Sequence, residues 1–430
     1  MKKSTIFAAL AASLVATTTF ISSAFAWEPT PGKPYDGQKV KVLAVKSSQF
    51  EAHEARLEAF EKATGIDVEV DYVPFPNMKE ALTAEMISGG SEYDVVSVMD
   101  QWVSSLENLL EPIDEGIAAQ GTDLSDFPKA HLRHGMIDGK LHGLPVRGHV
   151  QLLFYRKDLL EKAGAKVPQT WDEVIAASKA VQEATDASGI ALPYGKLNGQ
   201  NLMVWINLLW GNGGDLFDAD GKPIFNSEAG VKATQAYIDM LQKEKIAPAG
   251  SAVFVEQDAV NSFKQGNSAM LPLWWWVRSQ LTDPKQSKVT AEQLGFTSLP
   301  SVGAAAKTTF TNTWIFGVTE GSDAKSAAVE YLGWLTDPKL ERDVLLDPNL
   351  NEVVAVHFSN LRDPEVNARW GGMHQAAADA LATAPGLGFG PNWPRIAEIM
   401  ETAISSLASG EMTDTKAALD KAAEEIASIR

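Results

Sequence analysis

The sequence predicts an α/β fold built on a parallel sheet. Three observations carry the prediction: short apolar runs at residues 40–45, 66–73 and 93–99, helix-period segments at 50–64 and 77–88 between them, and the glycines Gly65, Gly89 and Gly90 that stop each helix. Strand, helix, strand, helix, strand at this spacing reads as parallel strands joined by helical crossovers.

Taken in order, residues 27–37 are a Pro- and Gly-rich leader expected to be loosely held. Ser47-Ser48-Gln49 forms a polar turn after the first strand. The first helix carries Leu57 and Phe60. Asn77 is expected to cap the second, with Glu80 three residues on and Met78, Leu82 and Met86 on its apolar face. Residues 139–157 read as a strand pair bent between Pro145 and His149. Thr170-Trp-Asp-Glu173 is a capping box that opens a helix running to about Thr185. Residues 216–226 read as a hairpin around Asp220-Gly221. Its acids do not fit a calcium loop: with Gly221 at the sixth position, Leu216 would be first and Ser227 twelfth. Residues 394–430 alternate small apolar and charged residues at helical spacing, which predicts two packed helices.

Composition narrows the function. At 430 residues, 45% hydrophobic and 21% charged, the chain has material for two or three globular domains. Lys2 and Lys3, an apolar stretch at 6–15 and Ala24-Phe25-Ala26 predict a secretory signal peptide cleaved after Ala26. No later run approaches a spanning helix, so no membrane insertion is expected. There is no cysteine, hence neither a disulfide framework nor an acceptor for a lipid, and the expected location is a Gram-negative periplasm. A formal charge of −18, without long acidic blocks, argues against nucleic acid.

Ligands of open α/β sheets sit beyond the carboxyl ends of the strands. Ser48 and Gln49 follow the first strand at a helix N-terminus, and Asp100 and Trp102 follow the third. The most distinctive stretch is Gly266-Asn-Ser-Ala-Met-Leu-Pro-Leu-Trp-Trp-Trp-Val-Arg278. If it is extended, Trp274 and Trp276 point one way and Trp275 the other. Flat indole faces suit sugar rings, and Arg278 is a fork donor for hydroxyls or an anion. Trp393, in the rigid turn Gly390-Pro-Asn-Trp-Pro394, is within reach of such a site.

Several stretches, in order, carry a family resemblance over nearly the whole mature chain. They include Tyr93-Asp-Val-Val96, Gly143-Leu-Pro145, Phe154-Tyr-Arg-Lys-Asp158, Pro168-Gln-Thr-Trp-Asp-Glu173, Gly213-Gly-Asp-Leu-Phe-Asp218, Phe263-Lys-Gln-Gly-Asn-Ser-Ala-Met270 and Trp314-Ile-Phe-Gly317. With them the sequence resembles the sugar-binding, maltodextrin-binding-protein-like solute receptors of ABC importers. The resemblance implies the two-lobed periplasmic binding protein fold, with hinge-crossing segments and a ligand cleft between lobes. The first lobe is expected at 37–146 plus 301–345 and the second at 147–300 plus 346–430. Gly213, Asn312 and Trp314 join the candidate binding residues on this ground. The implied partners are a small carbohydrate ligand and the transmembrane permease subunits. A monomer is expected, with no cofactor and no metal.

Arg147 and His149 depart from the resemblance, since such receptors often place an acid here to accept hydroxyl hydrogens, and arginine only donates. Two readings follow: Arg147 pairs with a nearby carboxylate, or Arg147 or Arg278 grips an anionic sugar derivative such as a uronate, sulfonate or glycerol phosphate. His131, His134 and His142 lie close together but no acidic motif frames them as metal ligands. No nucleophile, zinc-protease, Walker or dinucleotide motif is present. The alternative function is a secreted glycoside hydrolase with Glu51, Glu54 and Asp100 sharing the cleft.

Overall fold

The computed structural model describes residues 27–306 and 308–429. The signal segment 1–26 lies outside the described residues. Strands Lys39–Val45, Asp67–Val73 and Val95–Met99 pair in parallel, with the first in the middle. Thr311–Val318 adds antiparallel to the third, and Leu144–Arg156 adds antiparallel to Thr311–Val318.

Leu144–Arg156 organises the molecule, because its 13 residues serve two sheet regions in turn. Up to Val150, opposite Thr311, it pairs with the first region. From Gln151, opposite Trp274, it pairs with Ser268–Trp274 on one edge and, from Leu152, with Leu294–Ser298 on the other. Ser188–Ile190 then extends the second region in parallel with Ser268–Trp274. Buried side chains fall into two cores that follow this division. One gathers Val42, Phe60, Leu82, Val96 and Ile315, and the other gathers Phe154, Trp205, Tyr237, Leu271 and Ile404.

Three chain segments therefore meet at the waist, where their backbone groups are tied by buried side chains. The Thr309 hydroxyl accepts from Gln151 N (2.9 Å) and donates to the Gln151 carbonyl (3.3 Å). Gln49, fully buried, donates to the carbonyls of Val146 (3.3 Å) and Val354 (3.0 Å) and accepts from Val354 N (3.2 Å). One amide thus satisfies groups on the long strand and on the segment after helix Pro338–Leu345.

Local chemistry moved several expected boundaries. The helix expected at 50–64 is two, Ser48–Glu54 and Leu57–Thr64, and Ser47 rather than Ser48 caps the first by accepting from Phe50 N. The second expected helix begins at Phe75, not after Asn77, because Pro76 in its first turn needs no N–H partner there. The expected bent strand pair at 139–157 is a separate two-residue hairpin, Met136–Ile137 with Lys140–Leu141, followed by the uninterrupted long strand. The hairpin expected at 216–226 forms as a tight antiparallel turn, bridged at Phe217 and Pro223 and held by Asp218 N to the Lys222 carbonyl (3.0 Å) and Ile224 N to the Leu216 carbonyl (3.0 Å). The leader is anchored: Thr30 N donates to Glu330 (3.0 Å), and Trp27 packs on Phe60 at 5.5 Å. The Thr170–Glu173 capping box opens helix Trp171–Ala184, and the C-terminal pair is Trp393–Ser409 and Thr415–Ser428.

Gln49→Ala strands backbone groups of two segments in a buried place. It is expected to lower the unfolding free energy by about 1–3 kcal/mol in denaturant titrations. An unchanged midpoint would contradict the role given to this amide.

Candidate functional site

Between the two cores lies a cleft of about 780 Å³. Its first wall is aromatic. Phe75 follows the carboxyl end of Asp67–Val73, Trp102 follows that of Val95–Met99, and Trp314 stands on the neighbouring antiparallel strand. Phe75 and Trp102 stack at 5.8 Å with 17° between planes, and Trp314 meets Trp102 edge-on at 5.7 Å and 89°. Phe75 is 52% exposed, which is unusual for a phenylalanine and leaves a face free for a ligand. The second wall is made by Trp274, Trp276, Trp393 and Met203.

The three consecutive tryptophans divide as the alternation suggested, by a different geometry. The strand ends at Trp274, and Trp275 to Val277 turn as a short 3-10 helix. Trp274 and Trp276 line the cleft, while Trp275 is fully buried and donates its indole N–H to the Gly148 carbonyl at 3.1 Å.

Polar groups between the walls include Gln101, Arg147, His149, Gln200, Glu256 and Asn312. Asn312 is aimed by Asp100, which sits one layer behind. The Asp100 carboxylate accepts from Asn312 Nδ2 (2.7 Å), Thr313 N (2.9 Å) and Gln101 N (2.7 Å). It is therefore a positioning group rather than a wall of the cleft, because these donors occupy its oxygens. Burial pushes its pKa well up, and the amides of Thr313 and Gln101 pull it back. With Nδ2 engaged, Asn312 keeps its carbonyl oxygen for the cleft.

Arg147 lines the cleft with its guanidinium paired to Glu352. Arg278 does not line it; it stacks over Trp370 at 5.5 Å. Ser48 is exposed outside the cleft, Gln49 is part of the waist, and Gly213 lines a separate groove of about 490 Å³ beside Trp210 and Thr308. Of the carboxylates weighed for hydrolysis, Glu51 and Glu54 lie on the exposed face of Ser48–Glu54 and Asp100 is buried, so the three do not share the cleft. Phe75, Met203 and Glu256 were not anticipated. The signal for Phe75 was present, as it follows a parallel strand's carboxyl end between two prolines.

A family profile for bacterial extracellular solute-binding proteins matches residues 46–341. The chain belongs to that family. A probable amino-acid ABC transporter periplasmic-binding protein of Sinorhizobium fredii is 31% identical over 376 residues, covering 85% of this chain and 84% of its own. Among solved structures, the sugar-binding protein MalE of Xanthomonas citri has a TM-score of 0.77 at 21% identity, covering 90% of this chain and 96% of its own. An ABC transporter solute-binding protein of Agrobacterium radiobacter, in complex with ribitol, has a TM-score of 0.70 at 24% identity, with 91% and 98% covered. These likenesses establish the two-lobed fold around a cleft, and no described helix is long and apolar enough to cross a membrane.

Four buried histidines are held neutral. Burial lowers His53 and His131 to about 4 and His134 to about 3, and takes His149 well below its usual value. Groups so depressed bind more protons unfolded than folded between pH 6.5 and 4, so they favour the folded state fully above that window and lose it as pH falls. Between pH 6.5 and 4 the melting temperature of His134→Asn is expected to fall less steeply, or rise more, than that of the wild type; identical pH profiles would contradict this.

Proposed function

We propose that the chain is the substrate-binding component of an ABC importer that takes a neutral sugar or polyol in the cleft and presents it to the permease by closing two lobes, 37–146 plus 301–345 and 147–300 plus 346–430. One observation carries the reading: two facing aromatic walls enclose the amides Gln101, Gln200 and Asn312 and an arginine already paired with Glu352, which matches the apolar C–H faces and hydroxyl edge of a carbohydrate. The ribitol complex of the Agrobacterium radiobacter protein supports it by fold likeness.

The name of the Sinorhizobium fredii relative raises an amino acid as the second reading. An amino acid needs a cation for its carboxylate, and here Arg147 is neutralised by Glu352 and Arg278 lies away from the cleft, which leaves the exposed Lys46 and Lys79 as the lining cations. The same pairing disfavours the anionic sugar derivatives. The chain has no catalytic role in this reading. It acts from the periplasm as a monomer, its signal peptide removed after Ala26.

A thermal-shift screen of the mature protein tests the proposal. Neutral sugars or polyols are expected to raise the melting temperature, a ligand at a hundred times its dissociation constant adding roughly 2.7 kcal/mol. Trp274→Ala is expected to abolish the shift, and the ligand is recovered intact. Stabilisation by amino acids or anionic derivatives alone, or conversion of any hit to products, would overturn it.

A further inference from the structure

Glu256 opens helix Glu256–Lys264 and lines the cleft on the side of the second aromatic wall. Its backbone N–H donates to Gln200 Oε1 at 2.9 Å, which pins the start of the helix to another cleft residue. The Trp274 indole hydrogen-bonds its carboxyl, so the acid and the ring on which a ligand would lie are held together. Among the described residues no cation pairs with this carboxyl; Lys46 lies 3.9 Å from Glu51, and Lys79 is exposed. The other charged groups of the cleft are Arg147, Lys46, Lys79, Glu398 and Glu401. Arg147 is paired with Glu352, Glu398 with Arg395 (2.7 Å), and Glu401 accepts from Gly199 N (2.7 Å). His149, on the long strand, is kept neutral by burial, and Asp258, on Glu256's own helix, accepts from Val255 N (3.1 Å). Burial pushes the Glu256 pKa up to about 7, opposed by Trp274.

A partly buried acid without a protein cation takes its donors from the ligand, and a carboxylate takes two adjacent O–H groups at once. Resting on the carbohydrate reading above, we infer that Glu256 is the specificity-determining acceptor of the cleft, its carboxylate taking two neighbouring hydroxyls of a ligand seated on Trp274, so that the site requires a free vicinal diol. The diol donates to both oxygens only when the carboxyl is ionised. Near neutral pH, binding therefore releases the carboxyl proton to solvent, and affinity rises about tenfold from pH 6 to 8.

Isothermal titration with ribitol, D-mannitol and maltose at pH 6, 7 and 8, in two buffers of different ionisation heat, tests the assignment. For the probe that binds, the wild type is expected to show the pH slope and proton release. Glu256→Gln, melting as a folded protein, is expected to bind at least about 30-fold more weakly, as loss of hydrogen bonds to a charged acceptor implies, with no pH slope. Wild-type binding with Glu256→Gln within threefold and an unchanged slope would overturn the role of Glu256 alone. No binding of any probe by the wild type would overturn the carbohydrate reading, and the role with it.

Discussion

One strand shared by two sheet regions is the constraint on which the rest depends. Leu144–Arg156 gives its first half to the strand that carries Asn312 and Trp314 and its second half to the strand that ends at Trp274. The handover between Val150 and Gln151 places Arg147 and His149 at the cleft floor, so a single backbone sets the spacing of both walls. Residues at such a waist must absorb any relative motion of the lobes while keeping their buried amides and carbonyls bonded. The Thr309 and Gln49 bonds satisfy such groups at this waist.

The site shows a division of labour. Aromatic faces supply most of the apolar contact, and charge is withheld from the ligand by internal pairing: Arg147 with Glu352, Asp100 with its three N–H donors. A neutral polyhydroxy solute pays little desolvation cost against such surroundings. Glu256 is the exception, and its exception is chemical: it offers acceptance without a partner.

Much of this was legible in the chain because periodicity and punctuation are local. The parallel βα units, the Thr170 capping box and the C-terminal helix pair follow from side-chain spacing and glycine stops alone. Trp102, Trp274 and Trp276 were within reach because strand ends and the tryptophan run are visible in sequence, and Asn312 and Trp314 because the family resemblance pointed to them. What could not be read depended on distant partners. Asp100 sits at a strand end like any ligand acid, and only Asn312 and Thr313, more than two hundred residues away, turn it into a positioning group. Arg147 read either as an ion-pair partner or as an anion grip, and Glu352, more than two hundred residues away, decides for the ion pair. Gln49 and Gly213 occupy turns near strand or helix ends, yet one is consumed by the waist and the other faces a different groove. Glu256 carries no motif at all; it matters because its helix start meets Trp274 and Gln200 in space.

The central claim is that ligand joins two lobes that move about the waist, which makes small-angle X-ray scattering of the mature protein, alone and saturated with the sugar or polyol that stabilises it, the most direct measurement. The account predicts a smaller radius of gyration and a shorter maximum dimension with ligand, because contact with both walls favours the closed form. Identical scattering curves at proven saturation would contradict it, and would leave the cleft as a rigid pocket on a static frame.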